Sequence, residues 1–241
     1  MPYQKIPLVV VVPAAGVGKR MKANCPKQYL KINQKSILEH TVTRLSSHPM
    51  IKKIIIALGT EDEYFSETDL SSNSKVMVVD GGKERVDSVL AGLAVIDPKE
   101  FPWVLVHDAA RPCLTLDDLN QLIDACLTND IGGILASPVR DTMKRGSNGL
   151  IQQTIERDNL WHALTPQMYP TLQLTTSIEQ ALFAQAIITD EASAIEFSGE
   201  KSQLISSSSE NIKITHPDDL ALAEFILNKQ SINDKNIQVT Q

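Results

Sequence analysis

An apolar, valine-rich run at residues 6–12 opens the chain and passes directly into Pro13-Ala14-Ala15-Gly16. Consecutive β-branched residues without polar alternation mark a strand buried on both faces. A strand covered on both sides needs helices above and below it. That requirement already points to a layered α/β domain.

The rest of the chain repeats the pattern. Strand-like runs occur at 53–58, 76–79, 104–106 and 132–136, and helical spacing at 36–47, 85–95 and 115–127. In the first of these helices Ile37, Leu38, Val42 and Leu45 share a face. Thr115 is a helix cap ahead of Asp117 and Asp118. The expected fold is a Rossmann-like, mostly parallel sheet with helices on both faces. Apolar residues make up 42% of the 241, enough for a large core without disulfides or a structural metal.

The pattern changes after Ser137. Extended segments 139–145 and 150–157 flank Gly146-Ser147-Asn148-Gly149, a hairpin signal. This predicts a β-arm at about residues 137–158, either projecting or extending the main sheet. Beyond it come helices at 172–186 and 190–197 and a strand at 211–214. Thr215-His216-Pro217-Asp218 then opens a last helix. Residues 1–230 read as a single domain, and 231–241 as a polar tail that frays.

Charge and cysteines narrow the role. A net charge of −6 carries no basic footprint for nucleic acid. Cys25, Cys113 and Cys126 are odd in number and form no CxxC pair, which suits a reducing compartment. No run reaches membrane-spanning length, and the first apolar run lacks a cleavage site. The expectation is a cytoplasmic protein.

The turn after the first strand holds Gly16, Gly18, Lys19 and Arg20, with Pro26-Lys27 six positions on. Small residues let backbone N–H groups approach a phosphate, and the basic residues supply charge. It is not a P-loop, and Met21 stands where a dinucleotide fingerprint needs glycine. Asp108 follows a buried strand, where open parallel sheets bind ligands. It suits Mg2+ shared with phosphates, or a loop or capping role. Arg111 reads as a phosphate ligand or a structural ion pair, and His107 as a packed histidine. Taken alone, Arg157 and Lys213 read as exposed charges.

Several motifs occur in order along the chain. They are Ala14-Ala15-Gly16-Val17-Gly18-Lys19-Arg20-Met21, Cys25-Pro26-Lys27-Gln28, Asp80-Gly81-Gly82-Lys83-Glu84-Arg85, His107-Asp108-Ala109-Ala110-Arg111-Pro112, Pro138-Val139-Arg140-Asp141-Thr142, Trp161-His162-Ala163-Leu164-Thr165-Pro166-Gln167, Thr189-Asp190-Glu191-Ala192-Ser193 and Asn211-Ile212-Lys213. Together they resemble the 2-C-methyl-D-erythritol 4-phosphate cytidylyltransferase family, from Val9 to about Leu227.

The resemblance implies CMP transfer from CTP to methylerythritol phosphate, with Mg2+ held at Asp108. It makes Arg20, Lys27, Arg157 and Lys213 catalytic. It assigns CTP to Ala14, Ala15, Gly16, Gly18, Arg20, Lys27, Gly82, Arg85, Ser88 and Asp108. The acceptor falls to Asp108, Arg111, Thr142, Arg157, Thr165, Thr189 and Lys213. It also implies a homodimer joined through the arm, with Thr142 and Arg157 acting across the interface. Ribitol 5-phosphate is the alternative acceptor. A regulatory nucleotide binder and an NAD-dependent oxidoreductase are the other classes, disfavoured by the basic residues and the imperfect glycine pattern.

Overall fold

A computed structural model describes residues 6–16, 21 and 25–239, with 233–239 as backbone alone. Strand β1 (Leu8–Pro13) is central, with residues 8–12 fully buried. On one side it pairs in parallel with β4 (Ile51–Leu58), which pairs with β5 (Val76–Asp80). On the other side it pairs in parallel with β6 (Trp103–Val106).

The sheet is mostly parallel, as expected, but beyond β6 it holds a strand that the sequence pattern did not mark. The neighbour of β6 is β10 (Trp161–Pro170), which runs antiparallel both to it and to β7 (Gly133–Pro138). β11 (Gln203–Ser206) closes that edge, parallel to β7. The seven-stranded order is β11-β7-β10-β6-β1-β4-β5. β10 carries the Trp161–Gln167 motif, and its register breaks between Ala163 and Gln167 around a cis Thr165–Pro166 bond. That interruption removes the regular alternation that would have marked it as a strand.

Alternate residues of β1 divide the core. Leu8, Val10 and Val12 pack with α1 (Ile37–Ser46) and α3 (Leu116–Asn129). Val9 and Val11 pack with α2 (Arg85–Leu93), α4 (Thr171–Phe183) and α5 (Glu191–Phe197). Each fully buried valine or leucine contributes about 1.5–3 kcal/mol, so both faces are needed. Thr115 caps α3 as expected, accepting from the Asp118 N–H at 3.0 Å. A third apolar cluster seats α6 (Pro217–Val239) against Met21, Ile37 and Ile214.

Two further expectations change. Residues 211–214 are not a strand. Ile214 N–H reaches Ala110 O, but the carbonyls of Asn211, Lys213 and Ile214 accept from Arg111, Thr215 and Lys27 side chains. With its acceptors taken by side chains, the segment builds no ladder. The backbone of α6 stays helical to Val239, through most of the segment expected to fray. Among the described residues no helix is long and apolar enough to cross a membrane.

The hairpin signal becomes β8 (Met143–Ser147) and β9 (Leu150–Ile155), an antiparallel pair separate from the main sheet. Asn148 and Gly149 adopt positive φ at its tip, as a tight hairpin turn requires. A short hairpin, β2 (Lys31–Ile32) and β3 (Lys35–Ser36), completes the strands.

Candidate active site

β1 sends its partners in opposite directions, β4 to one side and β6 to the other. A crevice forms at the carboxyl ends of strands at such a switch point. A cavity of about 160 Å³ lies there. Its walls include Ala14, Ala15 and Gly16 after β1, Gly82, Arg85 and Ser88 around the start of α2, and Lys27, Asp108 and Lys213. Residues from five separate chain segments are thus brought to one place.

The glycines are required by close approach. A Cβ at Gly81 would lie 2.7 Å from Ala15 Cβ and 2.9 Å from Ser88 Oγ. One at Gly82 would lie 2.1 Å from Asp87 Cβ. Gly82 N–H donates to Ser88 Oγ at 3.1 Å, so the serine shapes this turn.

Asp108 is the electrostatic hub and is only 7% exposed. Its Oδ1 accepts from Arg85 Nε at 3.1 Å. Its Oδ2 meets Lys213 Nζ at 2.8 Å and Arg111 Nε at 3.4 Å. Burial alone would raise its pKa. Arg85, Lys213 and Arg111 outweigh burial and hold the carboxyl well below its ordinary range. Arg85 is gripped from behind by buried Glu191, at 2.6 and 3.1 Å. Burial raises the pKa of Glu191, while Arg85 pulls against that rise. On the cavity wall Lys27, Lys83, Arg85 and Lys213 stand with Glu84 and Asp108, a balance of charge that suits anionic reactants.

A buried chain fixes the backbone beneath Asp108. Asp108 N–H donates to Thr165 Oγ1 at 3.0 Å. Thr165 is 3.0 Å from His107 Nδ1, and His107 Nε2 is 3.1 Å from Arg111 O. A carbonyl only accepts, so Nε2 carries the proton and Nδ1 accepts from Thr165. Burial lowers the His107 pKa to about 4, so the ring is neutral near pH 7.

This geometry sorts the residues expected from sequence. Ala14, Ala15, Gly16, Lys27, Gly82, Arg85, Ser88, Asp108 and Lys213 share the cavity. Arg111 is buried in an ion pair and donates to Asn211 O at 2.7 Å, the structural alternative left open above. Thr165 is buried beneath Asp108 rather than facing the cavity. Thr189 borders a neighbouring cavity of about 250 Å³ behind Arg85. Thr142 and Arg157 are exposed beside the hairpin and do not line the main cavity; Arg157 donates to Arg140 O. Gly18 and Arg20 lie outside the described residues.

Two contributors were not legible beforehand. Gln28 is buried and donates to Ala14 O at 2.7 Å, tying the Lys27 turn to the glycine-rich loop. Its position beside Lys27 was the available signal. Glu191 carried no local signal of its partner: Asp190 caps α5, and Glu191 turns inward to Arg85.

Asp108 is held ionised on the cavity wall, where a cation shared with nucleotide phosphates would share its carboxylate with Arg85, Lys213 and Arg111. Among the described residues no group of three or more His, Cys, Asp and Glu could hold a metal by itself.

Residues 8–229 match the family model described as 2-C-methyl-D-erythritol 4-phosphate cytidylyltransferase. The chain belongs to this family. It is 62% identical to the enzyme of that description from Colwellia psychrerythraea, over 93% of this chain and 96% of the relative. It is 57% identical to that of Photobacterium profundum, over 91% and 96% respectively. The crystal structure of the Francisella tularensis cytidylyltransferase superposes with a TM-score of 0.78 at 36% identity, covering 91% of this chain and 99% of that one. A crystal structure described as 4-diphosphocytidyl-2C-methyl-D-erythritol synthase gives 0.80 at 34% identity, covering 92% and 99%. Membership makes the protein a nucleotidyltransferase and separates it from the oxidoreductase and regulatory classes.

Proposed function

We propose that this protein transfers CMP from CTP to 2-C-methyl-D-erythritol 4-phosphate, giving 4-diphosphocytidyl-2-C-methyl-D-erythritol and pyrophosphate. The observation that carries the reading is the convergence of Lys27, Arg85, Asp108 and Lys213 on one cavity in a chain of this family. An acceptor phosphate oxygen attacks the α-phosphorus of CTP. A new P–O bond forms, the α–β bridging P–O bond breaks, and its electron pair leaves with pyrophosphate.

Both reactants are anions, so catalysis rests on positioning and charge stabilisation. Lys27 and Arg20 stabilise charge on the triphosphate, and Lys213 holds the acceptor phosphate. Backbone groups of Ala14, Ala15 and Gly82, with Ser88, seat the nucleotide. Mg2+ is the proposed cofactor, held by Asp108; when bound, it offsets phosphate charge.

Arg111 and Thr165 serve the acceptor indirectly, by fixing Asp108 and the 211–215 segment. Arg157, Thr142 and Thr189 complete the acceptor site in a homodimer, Arg157 and Thr142 being supplied by the partner's hairpin. Residues 1–230 act as one catalytic domain. We place the enzyme in the cytoplasm, a reading supported by three free cysteines.

The test is pyrophosphate release with CTP and Mg2+, comparing methylerythritol phosphate with ribitol phosphate. Release that requires methylerythritol phosphate is expected. Release with ribitol phosphate alone would overturn the acceptor, and release with neither would overturn the reaction.

A further inference from the structure

The turn that carries Lys27 is clamped from two sides. Inward, Gln28 donates to Ala14 O. Outward, Tyr29 Oη donates to Asp62 Oδ2 at 2.7 Å, and the Tyr29 ring stacks on Tyr64 with centroids 5.2 Å apart. Asp62 Oδ1 accepts from the N–H groups of Tyr64 and Phe65 at 3.1 and 2.9 Å. One carboxylate therefore fixes the 62–65 turn and grips the Lys27 turn. The polar segment 60–75 is itself anchored. Leu70 is buried in the core, and Asp69 N–H donates to Glu39 Oε1 at 3.3 Å.

The turn needs this support. It is a three-residue 3₁₀ helix from Lys27 to Tyr29, flanked by backbone bonds of 2.9 and 3.2 Å. So short a helix is weak by itself. Lys27 must nevertheless hold an ammonium group at the cavity, where a misplacement of about 1 Å costs on the order of 100-fold in rate.

We infer that Tyr29, Asp62 and Tyr64 are positioning residues for the transfer reaction, acting through the Lys27 turn. The inference rests on the function proposed above. It gives segment 60–75 a task that neither the sequence nor the cavity lining assigns. The three residues form an outer brace, Gln28 forms the inner one, and Lys27 lies at the point they share.

The test measures steady-state kinetics of four variants beside the wild type. Asp62→Ala removes the brace and is expected to lower kcat about tenfold, the scale of one lost hydrogen bond, with acceptor KM unchanged. Asp62→Asn still bonds the Tyr29 hydroxyl and is expected to restore most of that loss. Tyr29→Phe removes only the hydroxyl, keeps the stack, and covers the case in which Asp62→Ala fails to fold. Ile123→Ala opens the same core in α3, away from the brace. It is expected to lower Tm while leaving kcat near normal at a temperature where it is folded. Normal kcat in Asp62→Ala or in Tyr29→Phe, with an active wild type, overturns the inference alone. So does an equal kcat loss in Ile123→Ala. An inactive wild type overturns the proposed function, and the inference with it.

Discussion

Lys27 and His107 illustrate two ways a single side chain can matter here. Lys27 lines the cavity, and its Nζ donates to Ile214 O at 2.9 Å, joining its own turn to the 211–214 segment. Lys27→Ala is expected to lower kcat roughly 10²–10³-fold, the scale for losing one transition-state donor. Near-normal turnover in a folded variant would remove Lys27 from that role. His107 does not line the main cavity, but it titrates differently in the two states. The unfolded chain protonates this imidazole near pH 6.5, the folded one only near pH 4. Between those values the unfolded state binds more protons, so acidification costs stability, by up to about 3 kcal/mol. His107→Gln should therefore flatten the fall in Tm between pH 6.5 and 4. A slope equal to that of the wild type would exclude His107 as its source. Asp108 carries the same sign but in a lower window: its depressed pKa keeps its contribution in place between pH 6.5 and 4, and that contribution is lost only in stronger acid.

Among the elements, α1 shows how local chemistry sets a boundary. Ser36 Oγ accepts from Glu39 N–H at 3.2 Å, and Glu39 Oε2 accepts from Ser36 N–H at 2.7 Å. Both bonds satisfy N–H groups that a helix start leaves unpaired. Ser36→Ala is expected to cost about 1 kcal/mol. In a chain of this size that is about 2–4 °C in Tm. A Tm within error of the wild type would mean that packing of Leu38 and Val42 alone holds the helix. The apolar spacing of this helix was readable from neighbouring residues. β10 was not, because its register break and Pro166 disrupt the period that identifies strands. The 211–214 segment misled in the other direction: alternation suggested a strand, while side chains claimed its carbonyls.

At the scale of the whole molecule, the hairpin stands apart from the main sheet and exposes apolar surface. Leu150 is 74% and Ile151 69% exposed, with Met143 and Trp161 half-exposed nearby. Burial of this surface in the proposed dimer would also deliver Arg157 and Thr142 to a second site. The wild type is expected to show twice the chain mass by light scattering. Leu150→Asp/Ile151→Asp is expected to shift it to the monomer and to lower acceptor turnover. A wild type that is monomeric at assay concentration, or a double variant that remains dimeric with full activity, would remove the hairpin from assembly.

The sequence by itself determined what depends on near neighbours and on period. It settled the buried first strand, the helices on both faces, the cap of α3 and the hairpin turn. Each is written within a few positions, where steric preference and alternation act directly. Only the tertiary structure decided the partners. Glu191 meets Arg85 across 106 positions, and Arg111 meets Asn211 across 100. Thr165 lies under Asp108 rather than toward the cavity. Buried polar groups must be paired wherever the chain brings them, so these choices depend on the packed arrangement of distant segments rather than on any local pattern.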